Sequence, residues 1–545
     1  MSTTNLLPVD TLEKKNWWSY LNGYHWFVLI VCALGWMFDC ADQMVFTSSR
    51  GIAMRDLLPN ATSEYQNYIG GWATTAFMVG WATGGLIFGI IGDKWGRAKT
   101  MGLTIFLYAL FTGLSALSQN WQQFAFSRFV TGFGVGGEFA AGAALVADVM
   151  PTQARAQALG LLQALSAVGN IVGAKMLGIV GHWTGNNQHL TWRYLYLVGA
   201  LPALIAVFVM FKLKEPEKWV AAKAAAKASG DKSMGRIGDL FSNRTWRRHT
   251  IIGLSLAIAG VIGVWGIGFY SPELIDSNFP PITEVAGQRI DAIISAPSGT
   301  SRVAMVVELE TTAKQSVDGK PTPAAAVATD ALAAYRQLLG RTIGRSEIDP
   351  KDLQAVVVTP KRQGKLAALA AKRMEPKEGT SLKSNALVLQ QVGAFFGMLT
   401  FSILAVRIGR RYSFVIGFLL AWAGIVVVFL AFHERSQVWY LWPLLGYCTM
   451  VPFGGYAVYF PELFPTRLRT TGTGFCYNVG RYVASLGPLA FTSLSAMLVG
   501  WFETPAFRVA AVIVASVYVI GIIAAFAGPE TMNQPLPEDE RTAAH

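Results

Sequence analysis

The chain has 545 residues, 52% of them hydrophobic and only 14% charged, with a formal net charge of +12. Soluble domains carry about 25% charged residues, so a soluble globular chain is excluded. Apolar stretches of about 18 residues or more recur throughout, each long enough to cross a hydrocarbon core of about 30 Å. The excess of Lys and Arg sits in short loops between these stretches, with no separate basic stripe, which argues for the lipid bilayer and against nucleic acid as a partner.

Residues 1–23 are polar and basic with an aromatic edge, NWWSYLNG, and read as a cytoplasmic arm at the membrane interface. Twelve spans are expected. The first six lie near 24–47, 69–91, 100–118, 122–147, 157–180 and 192–212, and the second six near 250–271, 384–406, 412–432, 437–459, 471–498 and 507–527. Cys32, Cys40, Cys448 and Cys476 all fall within spans and read as small apolar packers, not as a disulfide framework or a zinc site. Lys94, Arg97 and Lys99 follow the second span, Arg155 the fourth, and Arg407, Arg410 and Arg411 the eighth. The connector 213–249 is also rich in Lys and Arg, so it is placed in the cytoplasm together with both termini, including the tail 528–545.

The six-helix segments 24–212 and 250–527 repeat one another. DVMPTQAR (148–155) closes the fourth span and ELFPTRLR (462–469) the tenth, matching Asp148 with Glu462 and Arg155 with Arg469. KWGRAKT (94–100) has a weaker echo in RIGRRYS (407–413) at nearly the same offset, which implies duplicated halves. An insert, 276–383, interrupts the second half on the non-cytoplasmic side. It holds strand-like RVAMVVELETT (302–312), helix-like AAAVATDALAAYRQLLG (324–340) and strand-like LQAVVVTP (353–360). A small α+β domain, with a binding partner of its own, and an Ala- and Pro-rich loop without fixed structure are both open readings.

GIIGDKWGRAKT (89–100) places Gly89, Asp93, Lys94, Gly96, Arg97 and Lys99 in the spacing G-xxx-D-[RK]-x-G-R-x-[RK]. The glycines allow a tight turn, Asp93 can accept from a helix N-terminus or an arginine, and arginines can clamp Asp148 and Glu462. RFVTGFGVGGE (128–138) sets Arg128, Gly132 and Gly136 on one helical stripe, where a neighbouring helix can approach closely. These motifs resemble those of the major facilitator superfamily. The resemblance implies an all-α membrane protein of twelve transmembrane helices in two pseudo-symmetric bundles. It also implies a cytoplasmic gate built from Gly89, Asp93, Gly96, Arg97, Asp148, Arg155, Glu462 and Arg469. The second-half copy has Val406 where Asp93 would align, so the clamp is expected to be asymmetric. EPEKW (215–219), GPET (528–531) and FYSPEL (269–274) are similar to marks of sugar porters, although the paired glutamines of their seventh helix are absent from 251–268. In the first span Asp39 and Asp42 keep the acid spacing of the D-G-[FY]-D motif of aromatic-acid and sialate proton symporters, with Cys40 and Ala41 between them.

A charge near the centre of a spanning helix costs roughly 2.5–3.5 kcal/mol on insertion scales, so each one needs a reason. Asp39, Asp42 and Gln43 share a helical face. The two acids read either as proton-coupling groups or as members of a buried ion pair with Arg128 or Lys175. Glu138 is a second proton candidate, or a structural hydrogen-bonding group. Arg128 is a relay neighbour or a packing bolt, and Lys175 is placed to snorkel to the interface. Arg481, at mid-depth with Tyr477 and Asn478 beside it, suits a substrate carboxylate or pairing with an acid. Gln163, Asn170, Gln390, Gln391, Tyr456 and Tyr459 are candidate cavity liners or helix–helix hydrogen-bonders.

No Walker loop, HExxH or nucleophile elbow occurs, so neither ATP drive nor hydrolysis is expected, and no cofactor or metal beyond a coupling proton. The expected protein is a monomeric secondary transporter in a bacterial-type inner membrane. It moves a small carboxylate-bearing metabolite by alternating access with a proton. A sugar or polyol porter, and a non-transporting sensor using the insert, are the alternatives.

Overall fold

The computed structural model describes residues 16–61, 63–185, 187–210, 212–228, 234–267, 379–484 and 506–538, with isolated positions between 271 and 321 and between 491 and 501. The first half is built from α1 (Gly23–Leu57), α2 (Ser63–Trp95), α3 (Arg97–Ser115), α4 (Trp121–Val149), α5 (Thr152–Trp183) and α6 (Gln188–Met210). The connector holds α7 (Glu217–Ala228) and α8 (Asp239–Ser242). The second half follows with α9 (Arg244–Val261), α10 (Gly379–Arg407), α11 (Arg410–Ala431), α12 (Val438–Leu463), α13 (Arg469–Ala484), α14 (Ala506–Ala515) and α15 (Tyr518–Ala527). Among the described residues nine helical stretches are long and apolar enough to cross a membrane. With α6, α12 and α13 they make up a twelve-helix membrane fold, in which α14 and α15 together form the last crossing.

Helix limits follow local chemistry. Asn22 caps α1, accepting from the His25 backbone N–H at 2.9 Å while the His25 ring accepts from the Asn22 N–H. Asn120 caps α4 in the same way through Gln123. Helix α1 runs about ten residues beyond the expected end of its span. Ala53 and Met54 are buried there, Arg50 bonds Thr74, and the helix stops only before Leu58, whose successor is Pro59. The turns into α3 and α11 pass through Gly96 (φ 131°) and Gly409 (φ 86°), conformations that only glycine adopts cheaply.

Close backbone approach holds each half together. A Cβ on Gly80 or Gly84 of α2 would lie about 2 Å from the carbonyl oxygens of Phe129 or Phe133. One on Gly132 or Gly136 of α4 would strike those of Phe77 or Trp81. The stripe read from the sequence therefore interlocks with a second glycine pair on α2. The second half repeats the device: Gly393 and Gly397 of α10 lie against the Pro443 and Tyr447 carbonyls, and Gly446 of α12 against that of Gln390. Helix α4 ends up enclosed, with Phe139 to Leu145 buried without a break.

Residues 271–386, with 433–435, form a separate compact unit. Here the expected strand at 302–312 is corrected: Met305, Glu308, Thr311 and Thr312 are helical, and the Thr312 hydroxyl donates to the Glu308 carbonyl four residues back. The described strand pairing is Ser316–Val317 with Lys320–Pro321. The helix-like segment 324–340 and the strand-like segment 353–360 lie outside the described residues.

The α2–α4 crossing yields the first test. Gly132→Val, which forces a side chain into the Phe77 carbonyl, is expected to cost at least the 1–3 kcal/mol typical of overpacking. The check is thermal unfolding of detergent-solubilised protein, where the midpoint should fall sharply; Gly102→Val, at a site with open space around it, should leave it nearly unchanged.

Candidate functional site

Two layers of charge organise the molecule. The first lies on the basic face, where α2 turns into α3 and α12 into α13. Glu215, in the connector, accepts from the backbone N–H groups of Arg97 (2.7 Å), Ala98 (3.2 Å) and Lys99 (3.1 Å) at the start of α3. Glu530, after the last span, does the same for Arg410 (2.9 Å) and Arg411 (3.2 Å) at the start of α11. A carboxylate on a helix N-terminus satisfies orphan donors and meets the positive end of the helix dipole. The EPEKW and GPET marks thus supply the same cap in each half.

Between the halves the contacts differ. Asp93 of α2 caps α13, accepting from the Thr470 N–H at 3.1 Å, the Thr471 N–H at 2.8 Å and the Thr471 hydroxyl at 2.7 Å. Asp148, closing α4, takes ion pairs from both Arg97 of its own half and Arg469 of the other. In the second half Glu462 is held by both arms of Arg410, at 3.0 and 2.8 Å, and accepts from Thr531 at 2.6 Å. Arg155 and Arg469 sit at equivalent places and donate alike to the carbonyls of Ala147 and Pro461, each at 3.0 Å. Arg155, however, makes its hydrogen bonds within its own half. Gly89 lies against the Thr470 carbonyl, and Gly96 has no Cβ to collide with Glu215. The halves are latched at this face through Asp93 and Asp148.

The second layer is buried at mid-depth, where α1, α2, α3, α4 and α5 meet α13. Asp39 and Glu138 are each 1% exposed and neighbour one another, and no oxygen of either carboxyl has a hydrogen-bond partner among the described residues. Tyr108 neighbours both. Across the interface, Arg481 is 6% exposed, donates to Asn478 Oδ1 at 3.0 Å, and stacks on Trp81 (3.9 Å) and Tyr477 (4.2 Å). Its Nε has no partner among the described residues, and no described carboxylate pairs with it. Gln163 of α5 is buried beside Tyr477 with its Oε1 unbonded, and Phe139 stacks on Tyr477 at 4.3 Å. Trp36 in turn packs on Phe139 at 4.7 Å. Asn478 enters the space left by Gly85, whose Cβ would otherwise overlap its amide.

Other candidate residues are employed elsewhere. Asp42 accepts from Thr112 at 2.8 Å and pairs with Arg128 at 3.3 Å, the buried ion pair that is one of its two readings. Arg128 also donates to Ser115, Thr131 and the Phe111 carbonyl and lies over the Tyr196 ring at 4.7 Å, so it ties α4 to α1, α3 and α6. The hydroxyls of Tyr456 and Tyr459 are engaged, donating to the carbonyls of Leu256 and Pro529, each at 2.7 Å. Asn170 donates to Gln391 at 3.0 Å, a bond between the halves, and the Gln390 carbonyl lies at the α10–α12 crossing. Lys175 is exposed. Sequence reading missed Trp36, Trp81 and Tyr108, because an aromatic residue in an apolar run looks the same whether it faces lipid or a site.

Residues 25–305 match the family model described as Major Facilitator Superfamily. The chain is 25% identical to a Haemophilus influenzae protein named as a metabolite transport protein, over 95% of this chain and 99% of that one. It is 22% identical to the cis,cis-muconate transport protein of Acinetobacter baylyi, over 88% and 89%. The solved structure of the proton:xylose symporter XylE superposes with a TM-score of 0.58 at 14% identity, over 94% of this chain and 98% of that one. The Escherichia coli fucose:proton symporter FucP gives 0.54 at 14% identity, over 92% and 98%. At such identities the structures bear on the fold alone.

The latch generates a second test. Asp148→Ala leaves two buried guanidinium groups facing each other, and breaking a buried ion pair in this way costs about 3–5 kcal/mol. That cost falls on the latched arrangement. Spin labels at the exposed positions Lys99 and Arg247 are expected to shift to longer separations in the variant; an unchanged distance distribution would show that Asp148 does not hold the face closed.

Proposed function

The chain belongs to the Major Facilitator Superfamily, and we propose that this transporter moves a small organic anion together with a proton across a bacterial-type inner membrane by alternating access. The observation that carries the reading is Arg481. A guanidinium buried between the two halves, with no carboxylate beside it among the described residues, is costly unless an anion arrives to compensate it. Its planar fork suits a carboxylate, which can accept two parallel hydrogen bonds. Trp81 and Tyr477 hold the guanidinium plane between their rings, which fixes the fork before cargo enters. Trp36, Phe139 and Tyr477 offer flat apolar surface to the rest of the molecule, and Gln163 offers a hydrogen-bonding amide. The muconate transport named among the relatives supports the same class of cargo.

Asp39 and Glu138 carry the proton in this reading. Two neighbouring buried carboxyls, with no ion pair to either among the described residues, resist being ionised together, so in this reading the pair holds one proton and exchanges it as the cavity opens to either side. The cation lies on α13 and the acids on α1 and α4, so cargo and proton are held by opposite halves, and both must be loaded before the halves rock past each other. The Asp93 and Asp148 latch keeps the basic face shut until then. Orientation with both termini in the cytoplasm, and a monomeric state, complete the proposal.

Transport by purified protein in proteoliposomes tests it, with cis,cis-muconate as probe. Arg481→Ala is expected to weaken muconate counterflow by about 10- to 100-fold, the worth of a buried charged hydrogen bond. Arg481→Lys, which keeps charge but loses fork and stack, should fall between, and neutral hexoses should not compete. Asp39→Asn should leave uptake insensitive to pH. Wild-type muconate affinity in Arg481→Ala would overturn the anion assignment, and competition by hexoses would point to a sugar cargo.

A further inference from the structure

A seam between the halves joins the two charge layers. On α2, Trp81, Gly85, Gly89 and Asp93 recur at intervals of four and lie along α13, where Thr470, Gly474, Asn478 and Arg481 answer them. At the basic end Asp93 caps α13 through Thr470 and Thr471. One turn higher, a Cβ on Gly89 would come 3.1 Å from the Thr470 carbonyl oxygen. A further turn up, a Cβ on Gly474 would come 2.5 Å from the Gly85 carbonyl oxygen. One on Gly85 would overlap the Asn478 amide, whose nitrogen, carbon and oxygen are the three atoms nearest to it. The amide is held in that notch at both ends: Nδ2 donates to the Gly474 carbonyl at 2.9 Å, and Oδ1 accepts from Arg481 at 3.0 Å. At the top of the seam Trp81 lies over the same guanidinium at 3.9 Å. The turn from Trp81 to Gly85 is fixed to the first half by Gly136 of α4, where a Cβ would come 2.6 Å from the Gly85 nitrogen.

Resting on the anion-binding reading of Arg481, we propose that Gly85 is a positioning residue for that site, supplied by the half opposite to it. The space beside Gly85 is where the Asn478 amide lies, and the amide oxygen holds one arm of the Arg481 fork while Trp81 covers its face. Any side chain at 85 must turn the amide out or part the helices. Either movement frees the guanidinium from the orientation that meets a carboxylate. The arrangement also links the two layers. Arg481 and Asn478 belong to α13 and their socket to α2, so the site is complete only while the two helices are apposed. Asp93 closes the same pair of helices twelve residues further along α2, about 18 Å away. Parting them at the basic face takes the notch and Trp81 away from Arg481. The anion is then held less tightly with this face open than with it closed, and that difference drives its release there.

Equilibrium binding of cis,cis-muconate to the solubilised full chain, followed by calorimetry, tests the proposal. Gly85→Ala is expected to weaken binding by about 10-fold, the ordinary worth of a hydrogen bond to a charged group. Asn478→Ala should weaken it to a similar degree. Adding Gly85→Ala to Asn478→Ala should weaken it no further, because the amide that the new methyl would displace is already gone. A general loosening of the helix crossing would instead add its cost in both backgrounds. Asp93→Ala, which uncaps α13 at the far end of the seam, should also weaken binding. Arg481→Ala separates the two levels. If that variant binds muconate like the wild type, the anion reading fails. If it loses binding while Gly85→Ala keeps it, or the changes at 85 and 478 prove additive, the reading stands and this inference is overturned. Wild-type affinity in Asn478→Ala overturns it as well, even where Gly85→Ala alone is too crowded to fold, and wild-type affinity in Asp93→Ala removes the link to the basic face.

Discussion

A lipid bilayer gives a charged side chain nothing to bond, so each ionisable group buried in these helices has to find its partner within the protein. Nearly all of them do. Asp42 has Arg128 and Thr112, Asp148 has two arginines, Glu462 has Arg410 and Thr531, and Asp93 has the amide groups that open α13. Each of these settles a helix crossing or latches one half to the other. Among the described residues Asp39 and Glu138 differ from these, with no oxygen of either carboxyl hydrogen-bonded, and Arg481 lies buried with no carboxylate paired to it. Buried polar atoms without partners are rare in folded proteins, and where they cluster they mark groups kept for something that comes and goes. The same constraint that stabilises the bundle thereby marks these three groups out from those that hold it together.

Much of the fold was legible because the bilayer restricts the choices. Span length, the placement of Lys and Arg, and two motif pairs at nearly one offset were enough to give a duplicated twelve-helix protein. The glycine stripe of α4 could be seen, but its partners Gly80 and Gly84 could not be singled out, since glycines in a spanning helix carry no label for the neighbour they admit. Helix α1 outruns the expected first span, because hydropathy reports the membrane whereas the helix continues until Pro59 ends it.

The site was less legible, for a physical reason. Spacing along one helix places Asp39 and Asp42 together, and they look like a pair. In three dimensions the three-residue step turns Asp42 toward Arg128 and Asp39 toward Glu138 on another helix. No local pattern encodes that division. It depends on Gly35, which reads as an ordinary small residue until the Glu138 carboxyl is found in the space beside it. Tyr456 and Tyr459 stay open to two readings in sequence, because a hydroxyl in an apolar run satisfied by a backbone carbonyl looks the same as one awaiting cargo.

Duplication accounts for the capping glutamates and the glycine crossings, which appear in both halves, and it brings into relief what is not repeated. Val406 stands where an acid like Asp93 would cap the opposite helix, so the latch draws its interhalf carboxylates, Asp93 and Asp148, from the first half. Arg481 and the carboxyl pair are likewise divided, cation on one half and acids on the other. A perfectly symmetric pair of bundles would bind cargo and proton twice over and have no reason to prefer one order of opening. Breaking the symmetry at these positions gives the two halves different buried charges and makes the contacts of the basic face depend on the first half's acids. What sets the two copies apart is thus confined to a few residues, and those residues are the buried charges.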